Sequence, residues 1–152
     1  MDAQNTYLRA LRLLAGRAHS RAELIRKLRG KGATRDLASQ AADRAASLGY
    51  LDDSEYARMY CTSAHQKGMA PSRIRQELAR RGVETTLAEA ALKEVFADID
   101  LELQALSLAR KRAERLSGDT PSKRRRLAAF LTRRGFPTSV VLTAVDLVAP
   151  SS

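Results

Sequence analysis

Tryptophan is absent from this 152-residue chain, aromatic residues make up 5% of it, and Cys61 is its one cysteine. A lone cysteine excludes an intrachain disulfide and a cysteine-rich zinc site. So few aromatics leave little to build strands from, while the strong helix formers Ala, Leu, Arg and Glu dominate; the composition predicts an all-α fold. Long apolar runs are missing too. The longest uncharged stretch, Phe136 to Val145, falls short of the roughly 20 residues that a membrane-spanning helix needs. Arg9 and Arg12 interrupt the first apolar run, so no export signal and no membrane partner are expected, and the expected location is cytoplasmic. What the chain has in abundance is positive charge: 27 Lys and Arg against 17 Asp and Glu, a net +10. Such an excess points to nucleic acid, or to a protein assembled on it, as partner; a basic surface kept for solubility is the plainer alternative.

Three segments end alike: Leu28 to Gly32, Leu78 to Gly82 and Leu131 to Gly135, each reading Leu, two residues, a basic residue, Gly. The glycines lie 50 and then 53 residues apart. Four residues before each Leu stands Leu24, Ile74 or Leu127, which puts an aliphatic pair on one helix face. The Gly then reads as a left-handed helix stop, with basic residues facing the negative end of the helix dipole. One residue past each Gly come Ala33, Val83 and Phe136, and further on a second apolar stripe: Ala38, Ala41, Ala42, Ala45; Ala88, Ala91, Leu92, Val95; Val141, Ala144, Val145, Val148. A third helix fits before each pair, carrying Tyr7, Leu8, Leu11 and Leu14, then Tyr56, Ala57, Tyr60 and Ala64, then Leu103, Leu106 and Ala109.

Start signals agree. Ser20 with Glu23, and Thr86 with Glu89, have the spacing of capping boxes; Asp52 offers an Asp cap, and Pro71 and Pro121 suit a first helical turn. The reading is three tandem three-helix repeats over 1–53, 54–99 and 100–152. Units of this size bury little core alone, so they are expected to stack into an elongated, curved array.

Charge follows the repeat. Residues 9–35 hold nine basic and one acidic residue, 67–81 five and one, and 110–135 ten and two, whereas 36–66 and 83–109 are acidic. Helix dipoles and solvated faces account for part of this. They do not account for Lys123-Arg124-Arg125-Arg126 with Arg133 and Arg134 beyond, since like charges repel at helical spacing. A functional basic face is expected, with Arg73, Arg75, Arg80, Arg81, Lys123, Arg124, Arg125, Arg126, Arg133 and Arg134 as contact candidates. Acidic Glu84, Glu89, Glu94 and Asp98 would meet a basic part of a partner. Few aromatics interleave with the basic runs, so no stacking platform for single strands is evident, and nothing is aimed at base edges.

Catalysis is not expected. Cys61 and His65 share a helix face but are two ligands, too few for zinc; Asp52, Asp53 and Glu55 read as capping groups; Gly30 and Gly32 lack the Lys-Thr or Lys-Ser of a phosphate loop. No metal, cofactor or catalytic group is expected.

Ser20-Arg-Ala-Glu-Leu24, the Leu28 to Gly32 helix end, Leu48-Gly-Tyr-Leu-Asp-Asp53 followed by Tyr56-Ala57, Arg73-Ile-Arg-Gln-Glu-Leu78 and Arg80-Arg81-Gly82 together resemble the RecX family, and Arg133-Arg-Gly-Phe136 fits as well. The resemblance runs from Tyr7 to Val148. It departs from the family's pattern at Ala70, where a Gly is expected, and at a three-residue insertion in the third unit. The resemblance implies three tandem three-helix repeats and a regulator of the recombinase RecA. Such a protein binds the RecA filament on single-stranded DNA, in its groove and across protomers. It suppresses filament growth, ATP hydrolysis, strand exchange and the co-protease activity of the SOS response, so it acts in DNA recombination and repair. Weaker, non-specific binding to single- and double-stranded DNA and a monomeric state go with it. The rival from another class is a non-specific DNA-binding protein that acts only by competing for DNA; an enzyme of unknown reaction comes third.

Overall fold

The computed structural model describes residues 1–151. Among them are nine helices and no strand: α1 Ala3–Gly16, α2 Arg21–Gly30, α3 Arg35–Ser47, α4 Asp53–Gln66, α5 Pro71–Arg80, α6 Thr85–Val95, α7 Leu101–Ala113, α8 Thr120–Arg133 and α9 Thr138–Val148. The all-α expectation holds, in nine helices grouped by threes.

The repeated Leu-x-x-basic-Gly segment is a Schellman helix end, and its residue types follow from that geometry. The amide after each Gly donates back to the carbonyl of the motif Leu: Ala33 to Leu28 at 3.1 Å, Val83 to Leu78 at 3.0 Å, Phe136 to Leu131 at 3.3 Å. The bond requires left-handed backbone at the Gly, and Gly32, Gly82 and Gly135 have φ of +105°, +78° and +96°. It also folds the next apolar side chain back onto the Leu. Leu28, Leu78 and Leu131, with Leu24, Ile74 and Leu127 one turn earlier, are fully buried. Truncating any of these leucines to Ala costs about 2–5 kcal/mol.

Because that stop has fixed geometry, the next helix begins three residues after each Gly, at Arg35, Thr85 and Thr138. This corrects one start signal: Thr86 lies inside the first turn of α6 and is not its cap. The Ser20–Glu23 capping box is present on both sides, and the Asp52 carboxylate accepts from the Glu55 amide at 3.2 Å. The second stripe is buried as expected through Ala38, Ala41, Ala42 and Ala45, Ala88, Ala91 and Leu92, and Val141, Ala144 and Val145, while Val95 and Val148 at its ends are half-buried. In the third unit's opening helix Ala109 is buried as expected and Leu106 is half-buried, whereas Leu103 is 64% exposed and Ala105 takes the inward place.

The described chain divides into two compact units. The first comprises Met1–Tyr60 and Glu77–Ala91; the second comprises Cys61–Gln76 and the residues from Leu92 on. In the first, α1–α3 enclose an alanine-rich core around Leu24 and Leu28. Two bonds bring the ends of later helices to α2: the Arg21 amide donates to Asp53 Oδ1 at 2.7 Å, and Ser20 Oγ donates to the Arg81 carbonyl at 2.5 Å. In the second, α7–α9 pack around Leu127, Leu131, Phe136 and Val145, with Ala70 in the same core.

Candidate functional site

Each unit has a cleft lined by basic side chains, and the two differ in what neutralises them. The first unit's cleft, about 260 Å³, is lined by Arg17, Arg26, Arg80 and Arg81 together with Glu23 and Glu77. Arg17 pairs with Glu23 at 3.1 Å and Arg80 with Glu77 at 3.2 Å. Arg81 donates to the Tyr56 hydroxyl at 2.8 Å and lies over the Tyr60 ring at 4.5 Å. Burial alone would raise the Glu23 carboxyl; hydrogen bonds from Tyr56, the Ser20 amide and Arg17 outweigh it and hold Glu23 at about 2. Three of these cations are therefore engaged by internal partners.

The second unit's cleft is larger, about 560 Å³, and no carboxylate lines it. Lys67 and Met69 come from the connection after α4, Arg73 from α5, Arg112 from α7, Phe130 and Arg133 from α8, and Arg134 from its C-cap. A shallower hollow beside it adds Lys111 and Arg115. Lys67, Arg112 and Arg133 make no ion pair among the described residues.

Arg134 is fixed at both ends. Its carbonyl accepts from the Ala70 amide at 2.7 Å, and its Nη1 donates to the Lys67 carbonyl. Gly68 makes the approach possible: at φ +86°, a Cβ there would sit 2.9 Å from Arg134 Nη1 and 3.2 Å from Leu108 Cδ2. The guanidiniums of Arg134 and Arg112 lie 4.9 and 5.1 Å from the centre of the Phe130 ring. Each such contact contributes about 0.5–1 kcal/mol near the surface. One ring thus holds two like charges in a cleft that no carboxylate lines.

Of the ten contact candidates, this cleft gathers Arg73, Arg133 and Arg134, and the first gathers Arg80 and Arg81. Arg75 is exposed on α5. The run on α8 lines neither cleft. Arg124 donates to the Ala149 carbonyl and to Asp146, both at 2.6 Å, and so ties α8 to the end of α9. Arg126 reaches the Ser117 carbonyl at 3.4 Å; Arg125 is exposed and Lys123 half-buried. Charge counting missed Lys67, Arg112 and Phe130. The available signal was the i, i+4 spacing of Phe130 and Arg134, which stacks a ring and a guanidinium on one helix face.

Elsewhere, Cys61 is buried, which pushes its thiol up to about 11. His65 meets the edge of Phe96 at 5.2 Å, and its Nδ1 lies 3.3 Å from the Gln104 amide nitrogen. No group of three or more His, Cys, Asp or Glu able to hold a metal occurs among the described residues, and no helix of them is long and apolar enough to cross a membrane.

Comparison with known proteins matches three family models in order: the RecX first three-helix domain over residues 7–44, the second over 52–92 and the third over 102–145. The chain belongs to the RecX family. The regulatory protein RecX of Pseudomonas syringae pv. tomato is 39% identical over 132 residues, spanning 87% of this chain and 84% of that one. That of Trichlorobacter lovleyi is 38% identical over 138 residues, spanning 89% and 90%. The crystal structure of RecX from Lactobacillus salivarius superposes with a TM-score of 0.78 over 96% of each chain, at 24% identity, and so supports the fold. Within the RecX frame, Lys67, Met69 and Arg73 fall in the second matched domain and Arg112, Phe130, Arg133 and Arg134 in the third.

Proposed function

We propose that this RecX-family chain is a cytoplasmic, monomeric, non-enzymatic regulator of RecA, built of three repeats over 1–53, 54–99 and 100–152, that acts by occupancy. Bound to the RecA filament on single-stranded DNA, in its groove and across protomers, it suppresses growth, ATP hydrolysis, strand exchange and co-protease activity. The observation that carries this reading is the ordered match to all three RecX domains; the acid-free basic cleft suits a partner built on nucleic acid. A regulator without chemistry shifts the filament only through its different affinity for two filament states. The cleft cations Arg73, Arg133 and Arg134 face the nucleic-acid side of such a partner. Arg75, Arg80, Lys123, Arg125 and Arg126 are the remaining candidates for its protein side.

The test is a titration into RecA, single-stranded DNA and ATP with DNA in excess. Inhibition of hydrolysis well below one chain per RecA protomer is expected. Inhibition only near DNA saturation, relieved by more DNA, would favour the rival, a non-specific DNA-binding protein that competes for DNA.

A further inference from the structure

Against a net charge of +10, the first unit carries a groove of opposite character. Its volume is about 370 Å³, and it lies among α2, α3 and the connections that lead into α4 and α6. Much of its wall is apolar: Ile25 from α2, Ala46 from α3, Leu51 just before α4 and Leu87 from α6. Small residues keep it open. A Cβ on Gly82 would sit 2.3 Å from Ala22 Cβ, so the connection after α5 lies directly on α2 with no side chain between them. Two carboxylates, Asp53 and Glu84, stand in the same wall, and neither forms an ion pair among the described residues. Arg21, the cation in the wall, is already used: its guanidinium pairs with Asp43 at 2.7 Å, and its amide donates to Asp53. Burial raises the Asp53 carboxyl, and Asp52 and Glu84 add to the rise. A phosphate strand or an anionic lipid surface is repelled by such a wall. A protein segment that offers an aliphatic side chain beside a Lys or Arg satisfies both halves of it.

We propose that this groove seats the protein component of the filament: a RecA segment lays an aliphatic side chain against Ile25, Leu51 and Leu87 and sets an adjacent Lys or Arg between Asp53 and Glu84. The proposal rests on the RecA reading and adds which surface of the chain meets RecA itself.

The experiment measures binding of the full chain to RecA filaments formed on immobilised oligo-dT with a slowly hydrolysed ATP analogue, and, by fluorescence anisotropy, to bare labelled oligo-dT. Glu84→Lys replaces an exposed acid with a base, and Ala46→Arg fills the groove and supplies the missing cation from within. Each should weaken filament binding about tenfold or more, while oligo-dT affinity stays equal or rises slightly because each adds a positive charge. Asp36→Lys makes the same charge change at an exposed site on α3 and should alter filament binding less than about threefold. Thermal melts of both groove variants should match the wild type, as Ala46 and Glu84 are exposed. Wild-type filament affinity in both groove variants would overturn the seat and leave the RecA reading standing. So would a loss in only one of them, or equal losses in Glu84→Lys and Asp36→Lys, which would show diffuse charge. Filament binding by the wild type no tighter than its binding to bare oligo-dT would remove the RecA reading and the seat with it. Sedimentation covers the other occupant: self-association of the free chain that both groove variants abolish, with filament binding kept, would give the groove to a second copy and overturn the proposal.

Discussion

The two clefts are made of the same residue types and differ in one respect. In the first unit, Glu23 and Glu77 stand among the arginines; in the second, Met69 and Phe130 do. A basic block with a glutamate inside it serves folding: Glu23 closes a capping box, bonds Tyr56 and pairs with Arg17, and Glu77 pairs with Arg80. In the other cleft an aromatic ring and a backbone carbonyl hold the arginines, and no carboxylate lines the wall. Net charge per segment, positive in all three basic blocks, does not distinguish these uses. The position of the carboxylates does.

The strongest way to break the contrast is to give the second cleft an acid of its own. Arg112→Glu should reduce oligo-dT binding about a hundredfold, since it removes one cation and adds a repelling charge, while leaving the thermal unfolding midpoint nearly unchanged because Arg112 is exposed. Anisotropy and thermal melts read the two effects.

Next in size is Glu23→Gln in the first unit. Glu23 is held at about 2 in the fold against an ordinary value of 4.5, so its stabilising contribution is fully present above about pH 5 and is lost as pH falls toward 2. A shift of that size corresponds to about 3 kcal/mol. Urea unfolding should show Glu23→Gln less stable by about that order at pH 7, with the gap closing at pH 2. A gap constant with pH would remove the carboxylate's role.

Gly68→Ala follows. The left-handed backbone and the contact with Arg134 should together cost about 1–2 kcal/mol and weaken oligo-dT binding severalfold, because Arg134 is displaced. Arg124→Ala should separate charge from function: about 1 kcal/mol of stability lost with its bonds to Asp146 and Ala149, and no change in oligo-dT affinity. The smallest effect is the converse of the first. Glu77→Gln leaves exposed Arg80 without its i, i+3 partner and should raise anion affinity only about two- to threefold, since such pairs contribute less than about 1 kcal/mol.

Much of the fold was legible because its signals are local. The spacing from Leu28 to Gly32 to Ala33 encodes one hydrogen bond and one apolar contact, both closed within six residues, so the repeat could be read without knowing what packs on it. Ser20 with Glu23 is legible for the same reason. Thr86 misled because Thr and Glu at cap spacing also occur inside a first turn, and the fixed reach of the preceding Schellman end decides which applies. Leu103 misled because α7 carries apolar residues at Leu101, Leu103, Ala105, Leu106, Leu108 and Ala109, which fit more than one helical face, and periodicity alone does not choose between them.

The cleft was legible only in fragments. Arg133 and Arg134 stood in an obvious basic run, but Lys67 and Arg112 lie 45 residues apart and meet only through the packing of the second unit. The run from Lys123 to Arg126 drew attention for its density. Successive helical residues point about 100° apart, so four in a row cannot form one face. Arg124 turns to α9, and Arg125 turns to solvent.

The central claim is that a basic cleft lined by no carboxylate, and not total positive charge, carries the proposed regulatory function. The direct measurement is a titration of RecA ATP hydrolysis on excess single-stranded DNA, comparing wild type with the Arg112→Ala, Arg133→Ala variant and the Arg9→Ala, Arg12→Ala variant. Wild type and the Arg9/Arg12 variant should inhibit alike, well below one chain per RecA protomer, and the Arg112/Arg133 variant should require severalfold more. Coincident curves for all three proteins would contradict the claim.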